Sequence, residues 1–246
     1  MIDIIRSEWT KIRSVRSTVW TLAVTALLML GLSALLGATA ANSADEPMPG
    51  HEAVAMSLAG GMFASLSMAA LGVLVISSEY RTGGIRTSLM AVPRRLRLLT
   101  GKLVVFTAVA LVVCLAASAG AIGIGLAISR PPSVEMAEVA RATLGCGLYL
   151  TACGLFGLGL GTLVRHTPGA IVSAVALILV LPPLTNQLPG EWGGVVAEFF
   201  TTNAGTLVIF GRSGEYLGPW SGFGVYLAWI AVAVAAGAIL LRRRDA

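Results

Sequence analysis

Apolar residues recur along this chain in two ways, and the difference divides it. Over residues 1–17, Ile2, Ile5, Trp9, Ile12 and Val15 return at spacings of three and four, with Arg6, Lys11, Arg13 and Arg16 between them. That period predicts an amphipathic helix with a basic polar face, lying on a membrane surface rather than crossing it. Beyond it the apolar residues run on without alternation. Stretches with few or no charges occupy about 18–40, 54–77, 103–128, 142–164, 169–184 and 222–241, each near the roughly 20 residues that one helical crossing needs. The pattern predicts an all-α integral membrane protein forming one transmembrane domain over 1–246. It has six spans, a polar loop at 78–102 between spans two and three, and short helices in the segment 185–221 before span six.

Two stretches complicate that count. Trp192 to Phe210 is apolar enough to pass for a seventh span, but it contains Glu198, Asn203 and several glycines, and we read it as one or two short amphipathic or re-entrant helices. Ala38-Thr39-Ala40 has the look of a signal-peptide cleavage site, yet the apolar run from Val19 to Leu36 exceeds the ~7–15 residues of a signal core, so it is read as a retained span.

Composition agrees: 56% of the 246 residues are hydrophobic and 12% charged, far from the balance of a soluble domain. The net charge of +5 does not point to nucleic acid, because the basic residues sit at the ends of the apolar stretches rather than on a polar domain. They report orientation instead. With the N-terminus inside, 14 of the 17 Lys and Arg fall in inner segments, and only Arg130, Arg141 and Arg212 fall outside, against eight acids there. Positive residues are retained on the cytoplasmic side, so both termini are expected in the cytoplasm of a cell membrane protein. Arg130 and Arg141 read as side chains snorkelling at outer helix ends. Trp220, Tyr226 and Trp229 read as anchors of span six near the outer interface, and Pro182-Pro183 as the end of span five.

Catalytic chemistry finds no candidates. His51 and His166 fall on opposite sides, and neither His-Glu-x-x-His nor Gly-x-Ser-x-Gly is present. Cys114, Cys146 and Cys153 lie inside apolar stretches and read as small buried hydrophobes. Gly101-Lys102 is not a phosphate loop, since Leu103 follows where Ser or Thr is needed and Leu96 takes the first glycine's place. No catalytic, cofactor or metal site is expected on this chain. Gly157 and Gly161 form a GxxxG in span four, read as close packing within the chain in preference to a dimer contact. No charge sits convincingly at mid-membrane, which disfavours a proton or sodium relay.

The stretch richest in pattern is Ser78-Glu79-Tyr80-Arg81-Thr82-Gly83-Gly84-Ile85-Arg86-Thr87-Ser88-Leu89-Met90-Ala91-Val92-Pro93-Arg94-Arg95, closing at Gly101-Lys102. Gly83 and Gly84 permit a sharp turn and Pro93 stops a short helix over 85–90, while a purely basic loop obeying the positive-inside rule and touching anionic lipid is the plain alternative. Glu79, an acid among arginines, has Arg81, Arg86, Lys11 and Arg13 as possible partners. An exposed pair would be worth only ~0–1 kcal/mol, which makes positioning its expected purpose.

Glu-Tyr, two residues, Gly, Ile-Arg-x-x-Leu, Pro and a closing Gly-Lys resemble the type-2 ATP-binding cassette (ABC) exporter permease family. The opening Ser7-Glu8-Trp9-Thr10-Lys11-Ile12-Arg13-Ser14 resembles that family's interfacial N-terminal helix. Gly84 departs from the Thr common there. The resemblance implies that the loop after span two is a coupling helix docking on a separate ABC-type ATPase. Glu79, Tyr80, Arg81, Gly83, Ile85, Arg86, Pro93 and Arg95 would carry the coupling, and Trp9, Lys11 and Arg13 would belong to the interfacial helix. It implies ATP and magnesium on the partner, none on this chain, and a second permease copy or sister chain, with a homodimer favoured, in contact with membrane lipid. The cargo would be amphipathic or hydrophobic: a drug, an antibiotic peptide or a lipid-like compound. A stand-alone secondary transporter or channel, or a non-transporting scaffold, is the alternative.

Overall fold

The computed structural model describes residues 2–43, 48–82 and 95–243. Every regular element among them is helical: α1 (Ile2–Ser14), α2 (Arg16–Ser43), α3 (Gly50–Ser57), α4 (Gly61–Thr82), α5 (Arg95–Ser129), α6 (Met136–Val164), α7 (Thr167–Val175), α8 (Leu181–Thr185), α9 (Gly190–Phe199), α10 (Thr201–Phe210) and α11 (Pro219–Arg243). A π-helical turn at Ala176–Val180 joins α7 to α8. Six stretches are long and apolar enough to cross a membrane: 16–42, 50–80, 96–129, 136–164, 167–185 and 219–241. They match the six expected spans and overrun most of them. The largest overrun is α5, whose 35 residues measure about 52 Å at 1.5 Å per residue against a hydrocarbon core of about 30 Å. Its first turns, including Arg97 and Lys102, therefore belong to the membrane's edge and not to a loop.

The centre of the bundle is α6, buried along most of its length. A Cβ on Gly157 would strike the backbone of Ala69, and one on Gly161 would lie 2.6 Å from Ile76 Cγ2. The GxxxG therefore seats α6 directly on α4, backbone against backbone, which is the packing that small residues allow where water supplies no driving force. Hydroxyls add bonds between spans, with Thr25 Oγ1 donating to Ser67 Oγ at 2.8 Å and Ser33 Oγ to the Ala121 carbonyl at 2.6 Å. All three cysteines are free and buried.

Two aromatic expectations are corrected. Tyr226 is no interfacial anchor. It is fully buried with ring centroids 5.9 Å from both Tyr149 and Phe156, and its hydroxyl donates to Cys153 Sγ at 3.3 Å. Trp229 lies ten residues inside α11, about 15 Å from its start, and its indole N–H donates to the Phe199 carbonyl at 3.0 Å. Only Trp220 sits at the helix entrance, exposed.

That indole bond locates the bend between α9 and α10, which meet at 69°. The bend is deep, beside Trp229, while Gly211 at the far end of α10 packs on Arg141 near the start of α6. The two ten-residue helices thus form one bent pair, each too short to cross alone. Pro182-Pro183 does not end span five either. In the π turn, Leu181 N–H bonds back to the Ala176 carbonyl. The next two steps of that ladder would bring residues 182 and 183 to the carbonyls of Leu177 and Ile178, but prolines have no N–H to give. The start of α10 replaces them: Thr201 Oγ1 donates to Leu177 O at 2.7 Å and Thr202 Oγ1 to Ile178 O at 3.0 Å. Asn203 Nδ2 lies 2.9 Å from the Ala197 carbonyl and 3.2 Å from that of Pro182, closing the same junction.

Two predictions follow from this packing. Gly157→Val should lower the detergent melting temperature sharply, since overpacking against backbone costs ~1–3 kcal/mol or more, whereas Gly123→Val, which meets open space, should leave it nearly unchanged. Thr201→Val with Thr202→Val should destabilise by about 1–3 kcal/mol per abandoned carbonyl. Adding Pro182→Ala and Pro183→Ala, which restores the missing N–H groups, should recover part of that loss in the same melting assay.

Candidate functional site

At the end of the bundle where α1 lies, four charged side chains from three elements converge. On α1 the positions facing the protein are Ile4, Glu8, Lys11 and Ile12, one helical stripe. A Cβ at Gly101 would come 2.6 Å from Ile4 Cγ2, so glycine there lets α1 lie against α5 and brings Glu8 over the next residue, Lys102. The apolar residues whose spacing predicted a helix on the membrane surface mostly point away from the bundle. Of them Ile12 is buried, whereas Ile5, Val15 and the half-exposed Trp9, at 52%, face away from the chain.

Lys102 Nζ is 2.6 Å from Glu8 Oε2 and 2.9 Å from Glu79 Oε1. Lys11 Nζ is 2.8 Å from Glu8 Oε1 and 2.9 Å from the same Glu79 oxygen. Two acids and two bases thus close a neutral ring. Glu8 and Lys102 are each 2% exposed, Glu79 12% and Lys11 39%. The expectation of an exposed pair at Glu79 is therefore corrected: the pairing is buried, in the regime where removing one partner strands a charge. Partial burial works against the Lys11 ammonium, but hydrogen bonds and charge from Glu8 and Glu79 outweigh it and hold its pKa above the ordinary lysine value. Glu79 Oε2 is buried without a hydrogen-bond partner among the described residues.

The neighbours of Glu79 are tied as firmly. Thr167 Oγ1, at the start of α7, donates to Ser77 Oγ at 2.9 Å. Arg165, held in the left-handed region at φ 59° where α6 ends, places its guanidinium 5.1 Å from the Tyr80 ring centre and donates to the Leu240 carbonyl at 3.2 Å. The end of α4 is thus bound to α1, α5, α7 and the α6–α7 corner, and Arg165 of that corner also reaches α11, all at one end of the bundle.

This architecture has a counterpart among known proteins. The sequence pattern of the family described as ABC-2 family transporter protein matches residues 4–185. The chain belongs to the ABC-2 transporter family. It is a multi-pass membrane protein and the permease type of subunit of an ABC transporter, the membrane-spanning and not the catalytic part, and the family implies an ABC ATPase partner in general. No curated protein matches it.

In this ABC-2 chain, Glu79, Tyr80 and Lys11 of the expected site residues are drawn together at the stem of the loop. Trp9 and Arg13 are exposed and outside the ring. Arg81 closes α4 and Arg95 opens α5, placed by their helices alone. Gly83, Ile85, Arg86 and Pro93, with the short helix expected at 85–90, lie outside the described residues. Sequence reasoning offered Lys11 as one partner of Glu79 but missed Glu8 and Lys102. Both stand inside the quoted motifs, and the signal available was Glu8 and Lys11 one turn apart beside a stripe of opposite character.

Lys102→Met should leave Glu8 and Glu79 competing for Lys11, at a cost of about 3–5 kcal/mol, read as faster hydrogen exchange over 2–14 and a lower melting temperature. Lys102→Met with Glu8→Leu leaves the neutral Lys11–Glu79 pair and should restore much of the protection. Lys11→Met should be milder than Lys102→Met because Lys11 is partly solvated.

Proposed function

We propose that this permease serves an ATP-driven exporter in which a separate ABC-type ATPase docks on the loop at 83–94, and that the ring of Glu8, Lys11, Glu79 and Lys102 fixes the stem of that loop. On this reading the loop end of the bundle, with both chain termini, is cytoplasmic, as the distribution of basic residues supports. ATP and magnesium bind the partner. Closure of the ATPase pair pushes the loop, the stem passes the push to α1, α4 and α5 together, and two permeases change exposure of a pathway between them. The cargo class is amphipathic or hydrophobic: a drug, an antibiotic peptide or a lipid-like compound. The observation that carries the reading is the burial of the ring where both ends of the loop meet α1, because a merely solvated basic loop has no need of a four-charge lock at its base.

The test is made on the permease purified with its ATPase in proteoliposomes. Glu79→Ala and Arg86→Glu should leave the chain inserted and ATP hydrolysis present while transport falls at least about ten-fold, the equivalent of ~1.4 kcal/mol in coupling. Normal transport by both variants at normal expression would reject the coupling assignment. Recovery of the chain with no ATPase under several mild detergents would reject the partnership itself.

A further inference from the structure

At the opposite end of the bundle, α3, α6 and the exit of α10 enclose a cleft of about 100 Å³. His51, Glu138, Arg141 and Arg212 line it together with the buried Leu58 and Ile209. Arg141 was expected to snorkel, and its side chain is 40% exposed, but its Nη1 is buried and has no hydrogen-bond partner among the described residues. The guanidinium rests directly on Gly211, whose φ of +59° and missing Cβ make room for it. Its Nη2 is 3.7 Å from Glu138 Oε1, too far for a hydrogen bond, so the carboxylate lowers the local charge without satisfying the donors. Arg212 stands over the Phe210 ring at 5.4 Å, its position set by that stacking. Two oriented guanidinium groups thus face one carboxylate across a small cleft with an apolar floor.

We propose that this cleft binds a phosphate-class oxyanion, with Arg141 and Arg212 as its donors. Planar guanidinium groups match tetrahedral oxyanions through paired N–H donors; with Nη1 seated on Gly211, the exposed remainder of the Arg141 guanidinium lines the cleft beside Arg212. The space is small and polar on one side, suited to a compact headgroup-sized ion. The oxyanion is carried either by a lipid headgroup, whose chains would lie outside along the bundle, or by free phosphate.

The full chain is placed in nanodiscs containing phosphatidylglycerol and a phosphate-free glycolipid, and lipids retained on the protein are read by native mass spectrometry. A parallel arm follows the melting temperature in lipid-free detergent with added inorganic phosphate, which rises if phosphate binds the folded chain. Preferential retention of phosphatidylglycerol assigns the site to a headgroup; a phosphate-dependent rise alone assigns it to the free ion. In either arm Arg141→Gln and the surface substitution Arg212→Gln should weaken binding about ten-fold, and Glu138→Gln, which removes the competing acid, should strengthen it. A purely structural cluster would lose binding in all three variants, or show none in the wild type, and either result overturns the proposal.

Discussion

Inside hydrocarbon a backbone N–H or C=O has no water to turn to, so every one must find its partner within the protein. Six helices meet that constraint by themselves along most of their length. Span five does not, because Pro182 and Pro183 withhold two donors in succession. The consequence is visible 24 residues along the chain from the two abandoned carbonyls: the bent pair α9 and α10 presents Thr201 and Thr202 in their register. Trp229 then covers the carbonyl that the pair's own bend leaves over. A segment that composition makes look like a failed seventh span is the repair of the fifth.

The ring of Glu8, Lys11, Glu79 and Lys102 answers the electrostatic form of the same constraint. Glu8, Lys102 and Glu79, at 2–12% exposure, would each alone be expelled toward water or neutralised. Gathered as two acids and two bases, with Glu79 Oε1 shared by both lysines, they remain at the membrane's edge. The geometry needs Gly101 as much as the charges, since any side chain there would hold α1 away from α5.

Hydropathy made the six spans legible because it reports the solvent around a whole stretch, and the division of 192–210 into two short helices in place of one long one agrees with the reading that Glu198 and Asn203 suggested. Span ends were less legible. Arg95, Arg97 and Lys102 read as loop residues, but charge does not stop a helix, and α5 continues through them. Partners across the fold were least legible: Lys102 and Glu8 are 94 residues apart, and nothing local to either names the other. Tyr226 and Trp229 failed for a related reason. An aromatic residue with a polar tip suits the membrane interface and a buried hydrogen bond equally well, and only the packed neighbours Tyr149, Cys153 and Phe199 decide between them.

A closed, neutral ring also has a mechanical consequence. Moving the end of α4 away from α5 or α1 would separate opposite charges where water screens them poorly, so these three elements resist relative displacement and favour moving as one body. From α4 the next contact inward is Gly157 and Gly161 of α6, where the backbones of Ala69 and Val73 and the β-branched Ile76 side chain leave little slack to absorb a shift. On the coupling reading, a push entering at Glu79 would reach the central helix through stiff contacts alone, while the α10 bonds at Leu177 and Ile178 would leave span five a softer, hydroxyl-held joint. Displacement would then concentrate in span five, the member of the bundle whose backbone is least able to hold itself together.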